Sequence, residues 1–150
     1  MDSPLGDKRS LKSKAFEHPT FIRKAGGISL SGQAFLDLLQ AVLDKRMQFR
    51  FRAKGHSMNP FIQDGDIITI SPLSGDLPHI GDIVAFIHPE KGKLIVHRVI
   101  RKMDGSFLTR GDGLQWDDGN VPIENILGYV TRIERNKEEI FSVSDRSSGQ

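Results

Sequence analysis

Met47-Gln48-Phe49-Arg50-Phe51-Arg52-Ala53 alternates apolar and polar side chains, and Lys54-Gly55-His56-Ser57-Met58-Asn59-Pro60 follows it directly. A period of two puts Met47, Phe49, Phe51 and Ala53 on one face of a strand, with Gln48, Arg50 and Arg52 opposite, so the strand is half exposed. The turn that ends it is bounded by Gly55 and Pro60, and it sets a small hydroxyl residue, Ser57, where Oγ is exposed.

Working outward, further strand patterns fall near residues 67–70, 83–87, 94–102, 107–109, 129–134 and 140–143. Turn signals separate them at Asp64-Gly65, Gly75-Asp76, Gly81-Asp82, Gly92, Asp104-Gly105 and Gly111-Asp112-Gly113. Pro89-Glu90-Lys91-Gly92-Lys93 reads as a hairpin loop. Upstream, Phe35, Leu38, Leu39 and Val42 recur at helical spacing, widened by Leu36 and Leu43, while Asp37, Gln40 and Asp44 lie opposite. That pattern predicts one amphipathic helix within 29–46, with Ser31 as N-cap and Lys45 and Arg46 complementing the dipole in its last turn. The expected architecture is mainly β (α+β overall): one helix, then a β domain over 47–143 and a short tail at 144–150. Residues 1–28 show no sustained period and are expected to form a mobile basic arm.

With 150 residues, 37% hydrophobic and 27% charged, the chain fits one domain with an extension. Cysteine is absent, which excludes disulfides, thiol catalysis and cysteine metal sites. No run approaches the roughly 18 apolar residues of a membrane span, and the first thirty residues lack the apolar core of a secretory leader. The expected location is therefore the cytoplasm or a membrane periphery. The net charge of +2 hides an asymmetry, since residues 1–54 hold 11 Lys and Arg against 5 Asp and Glu. That basic excess admits contact with an anionic membrane. Arg50, Arg52 and Lys54, with Lys45 and Arg46, also admit nucleic acid, but a solvated strand face explains the same residues and is favoured. His18, His56, His79 and His88 lack ligand spacing and the Asp-Gly turns lack an EF-hand pattern, so neither a metal nor another cofactor is expected.

Two further segments carry chemistry. In Leu94-Ile95-Val96-His97-Arg98-Val99-Ile100, one strand face presents Ile95, His97 and Val99 together. Apolar neighbours disfavour the imidazolium and keep His97 a neutral acceptor, as a general base requires; a core histidine bonded to a backbone carbonyl gives the same pattern. Thr109-Arg110-Gly111-Asp112-Gly113-Leu114-Gln115-Trp116-Asp117-Asp118 offers three carboxylates to hold the other imidazole nitrogen, although Asp before Gly is also ordinary turn chemistry. Trp116 is expected to anchor the loop carrying Asp117 and Asp118, or else to line a substrate cleft.

Taken in order, these blocks, with Gly65-Asp66-Ile67-Ile68, Gly81-Asp82-Ile83-Val84 and Leu127-Gly128-Tyr129-Val130, resemble the signal peptidase I superfamily, which shares its β-fold and serine chemistry with self-cleaving SOS-response repressors. The resemblance covers about half the chain, Gly55 to Arg132. It implies a coiled β-fold and a serine endopeptidase, with Ser57 as nucleophile and His97 where bacterial signal peptidases place a lysine. Serine with histidine and downstream aspartates looks like the endoplasmic-reticulum and archaeal branch. On that pattern Asp118 orients His97, while Asp112 supports the site or orients His97 itself.

The same resemblance places Gly55 and Met58 in the nucleophile loop. Gly55 stands where bacterial members carry a hydroxyl donor, so the oxyanion falls to backbone N–H groups, Ser57's among them. Unlike signal peptidases, the chain offers a charged arm and an amphipathic helix in place of an apolar anchor. Unlike the repressors, it shows one helix in residues 1–54 instead of a helix-turn-helix, and Lys93 lies off the lysine motif. The expected substrate is a peptide or precursor protein bound as an extended strand. The alternatives are a peptide-binding accessory domain without turnover, or self-processing at Ala25-Gly26, 32 residues before Ser57.

Overall fold

Phe49 and Phe51 are buried while Arg52 is exposed, so β1 (Phe49–Arg52) lays one face on the core at the rim of a coiled antiparallel sheet. The computed structural model describes residues 32–143. The expected arm, its Ala25-Gly26 bond, the Ser31 cap and the tail lie outside them. Helix α1 (Gly32–Asp44) precedes the sheet; after β1 come β2 (Ile67–Pro72), β3 (Ile83–Ile87), β4 (Leu94–Met103), β5 (Ser106–Arg110), β6 (Asp117–Pro122), β7 (Ile126–Arg135) and β8 (Glu138–Ser142). The sheet order is β1-β2-β7-β3-β4-β5-β6, with β8 on β7. Register shifts interrupt five of the seven strand pairings, and such bulges add local twist that coils the sheet.

The fold is mainly antiparallel β with one leading helix, as the alternation patterns imply. Helix α1 buries Leu36, Leu39 and Leu43 against Phe49, Ile68, Ile70 and Ile133. Phe35 packs edge-on to Phe49 and Phe51, with ring centroids 5.6 and 5.2 Å apart. A second cluster joins Val84, Phe86, Val99, Phe107, Val121 and Tyr129 between the central strands.

Three local expectations are corrected. Lys45 and Arg46 lie just past the helix and not in its last turn: Arg46 adopts φ 64° and Met47 N–H reaches back to the Val42 carbonyl, a Schellman-type stop. The first strand is shorter than residues 47–53, because the β2 ladder holds only Phe49 to Arg52. Strand β6 was not anticipated, since Asp-Asp-Gly-Asn has little strand propensity. It forms because β5 supplies partners, Phe107 opposite Val121 and Arg110 opposite Asp117, and because Val121 is fully buried.

One buried charge ties the loop after β1 to the sheet. Asp66 is 2% exposed; its carboxylate accepts two hydrogen bonds from Arg135 at the end of β7, at 2.9 and 2.8 Å, and one from Gln63 N–H at 2.8 Å. Arg135 also donates to the Phe61 carbonyl, and Ala53 N–H donates to that of Asp66, so the ends of the 53–66 loop are pinned together. Burial alone would raise the Asp66 carboxyl, but the bonds from Arg135 and Gln63 and the Arg135 charge hold it below the usual carboxylate range. A depressed folded value means that this stabilisation is complete above the unfolded value near about 4 and is lost as pH falls below it. Asp66→Asn is expected to lower Tm by about 5–10 °C at pH 7, with the gap closing below about pH 4. Thermal melts across pH check this; a gap unchanged down to pH ~2.5 contradicts it.

Candidate active site

Ser57 opens a helical turn a few residues after β1, where Asn59 N–H bonds the His56 carbonyl and Ile62 N–H bonds that of Met58. The turn keeps Ser57 partly exposed and buries Met58 beneath it. Gly55, with φ 94°, bends the chain into the turn and donates its N–H to Asp64 Oδ1 at 2.7 Å.

His97 sits on β4, its side chain 7% exposed, and Asp118 on β6, 11% exposed. The structure brings three of the expected residues into one line. His97 Nε2 lies 3.1 Å from Ser57 Oγ and His97 Nδ1 lies 2.7 Å from Asp118 Oδ2. With Asp118 ionised, Nδ1 carries the proton and donates, which leaves Nε2 as the acceptor facing the hydroxyl. Thr109 Oγ1, fully buried on β5, donates to the same Asp118 oxygen at 2.7 Å. Burial would raise the Asp118 carboxyl, but the hydrogen bonds from His97 and Thr109 hold it below the ordinary value.

Asp112 stands elsewhere. Its two oxygens take a bidentate grip from Arg98, at 2.9 and 2.7 Å, and Arg98 also donates to the Gly81 carbonyl and lies over the Phe61 ring at 4.9 Å. The Asp112 amide points at Met58 Sδ, 3.3 Å away, and Gly113 N–H donates to the Ser57 carbonyl at 2.9 Å. The Arg98–Asp112 pair therefore clamps the loop after β5 onto the serine turn. The Trp116 expectation fails on both counts: the ring is 79% exposed and does not line the cleft, and the loop is held by these polar contacts instead.

Thr109, Arg98 and Gly111 were not singled out as site residues. A Cβ on Gly111 would collide with the Ser57 carbonyl oxygen and lie 2.9 Å from His97 Nε2. Only glycine admits that approach; in the sequence Gly111 stands out only as part of a turn signal beside the candidate carboxylate Asp112.

A cleft of about 480 Å³ opens beside Ser57 and His97. One wall is Phe51 to Gly55 at the end of β1, the other Leu94 to His97 on β4, with Phe35, Met58, Ile62 and Ile68 between. Among the described residues, the end of β1 from Phe51 onward pairs only toward β2, and β4 pairs with β5 only from Arg98 onward, so no described strand covers the backbone edge of either wall. Four antiparallel pairings separate β1 from β4, so the two run in the same sense, both toward the site. Of the basic residues first read together, Arg50 is taken up by Glu134 at 2.7 Å. Among the described residues no three His, Asp or Glu side chains gather as a metal site, and no helix is long and apolar enough to cross a membrane.

The profile of the Peptidase S24-like family matches residues 22–128, a span that contains Ser57, His97, Asp112 and Asp118. No curated protein sequence matches the chain.

A proton held between His97 and Asp118 at 2.7 Å is expected to exchange slowly and to give a far-downfield ¹H resonance. That resonance should vanish in Asp118→Ala and persist in Asp112→Asn; the reverse pattern would assign the imidazole to the wrong carboxylate.

Proposed function

The chain belongs to the Peptidase S24-like family, and on that footing we propose that it is a serine endopeptidase acting on extended peptides through Ser57, His97 and Asp118. The observation that carries this reading is the line Ser57 Oγ, His97 Nε2, His97 Nδ1, Asp118 Oδ2, with spacings of 3.1 and 2.7 Å beside an open cleft. Within the superfamily the pairing of serine with histidine favours the endoplasmic-reticulum and archaeal type of signal peptidase, which would make a precursor protein the natural substrate.

In this mechanism a peptide strand lies between the cleft-facing edges of β1 and β4, and main-chain hydrogen bonds fix its scissile carbonyl at Ser57. Oγ attacks the carbonyl carbon as its proton passes to Nε2, and Asp118 stabilises the imidazolium through Nδ1–H. Backbone N–H groups of the serine turn meet the developing oxyanion; those of Ser57 and Met58 have no acceptor among the described residues. The proton then moves from Nε2 to the leaving amine as the C–N bond breaks. Water, deprotonated by the same nitrogen, releases the acyl group and restores Ser57. Asp112 acts through Arg98 as a positioning residue, not on the imidazole.

Hydrolysis of a mixed peptide library, followed by mass spectrometry, tests the reading. Ser57→Ala and His97→Ala are each expected to lower turnover by on the order of 10³-fold or more. Gly111→Ala, which displaces the Ser57 turn and the His97 ring while removing none of the three polar groups, should cost about 100-fold in kcat with the circular dichroism spectrum unchanged. A Ser57→Ala protein as active as the parent would refute the assignment, and a parent that cleaves nothing would favour a peptide-binding domain without turnover.

A further inference from the structure

The cleft beside Ser57 carries a charge pattern that proton transfer does not use. Its inner wall is apolar, formed by Phe35, Phe51, Met58, Ile62 and Ile68, while Arg52 and Lys54 line the β1 rim and are exposed. No carboxylate among the described residues pairs with either. Arg50, Arg98, Arg132 and Arg135, by contrast, each have one within 3.3 Å. Among the described residues the Arg52 guanidinium donates only to the Gly65 carbonyl, at 3.2 Å. Asp64, the first acid that follows them along the chain, accepts the Gly55 N–H through Oδ1, and none of the described lining residues is Asp or Glu.

The alternation of β1, which continues in burial through Ala53 and Lys54 beyond its end, gives this pattern a register. Phe51 and Ala53 are buried or half-buried, and Arg52 and Lys54 alternate with them on the exposed side. A peptide strand laid along that edge alternates in the same way, so its inward side chains meet the apolar wall and its outward ones run beside the two cations.

We propose that the cleft selects extended peptides alternating apolar residues, facing inward, with acidic residues, facing outward, and that Arg52 and Lys54 read the acidic ones. This names a substrate class for the peptidase site and rests on the reading that a peptide strand lies between β1 and β4. Exposed ion pairs are individually weak and screened by salt, so the two cations together are expected to give about a threefold to tenfold preference at low ionic strength.

Binding to the full chain carrying Ser57→Ala separates this proposal from catalysis. The probes are two fluorescent octapeptides, one alternating valine with aspartate and the other valine with asparagine, measured by anisotropy at low salt and at 1 M salt. The expected result is at least threefold tighter binding of the aspartate peptide, lost at 1 M salt and lost when Arg52→Gln and Lys54→Gln are added. Equal affinity for the two peptides, binding by neither, or a preference that survives the double substitution overturns the proposal. An aspartate preference in a chain whose parent cleaves no peptide would sustain it while removing the peptidase reading.

Discussion

The imidazole of His97 has to reach a carboxylate two strands away, and everything at the site follows from how the sheet permits it. His97 stands on β4 and Asp118 on β6, with β5 between them. Arg98 pairs with Arg110, so the next position along β5, level with His97, is Gly111. Any side chain there would occupy the space of the ring and of the Ser57 carbonyl. With only hydrogen at that point, the ring lies across the row and bonds both neighbours, and Thr109 fills the remaining bond to Asp118 from the same strand.

The serine needs its own support, since it lies on a loop and not on the sheet. Two ion pairs provide it from opposite sides. Arg135 and Asp66 close the base of the 53–66 loop, and Arg98 and Asp112 press the 111–113 segment onto the turn itself. Both use the bidentate fork of arginine, which fixes orientation as well as distance. Below them, the α1 side chains and the β1 phenylalanines form the apolar floor from which the cleft rises. The cleft-facing edges of β1 and β4, which no described strand covers, create both the groove and its distribution of charge, with cations on the rim and apolar groups within.

Much of this was legible in the chain because strong periodicity survives folding. Phe49 and Phe51, the apolar residues of the Leu94 to Met103 run and the α1 stripe each declare their element through side chains that are in fact buried or half-buried. Ser57 and His97 stood out because a hydroxyl in a Gly- and Pro-bounded turn and a histidine amid β-branched residues are locally unusual. The residues that went unseen act through long-range geometry. Strand β6 carries little propensity of its own and depends on β5. Gly111 matters for what it does not occupy, a condition visible only once two other strands are in place. Asp112 and Asp118 look alike in sequence, and their separate partners, Arg98 and His97, come from adjacent β4 residues whose side chains leave opposite faces of the strand. Trp116 looked like an anchor because tryptophan is so often buried, yet polar contacts hold its loop.

The central claim is that one hydroxyl in this chain is activated by one imidazole. Intact-mass measurement after exposure to a fluorophosphonate reads it directly, because such reagents modify serine only where a base has made it nucleophilic. The account predicts a single adduct per chain, mapped to Ser57 and lost in His97→Ala. No adduct, or one that forms equally well without His97, would contradict it.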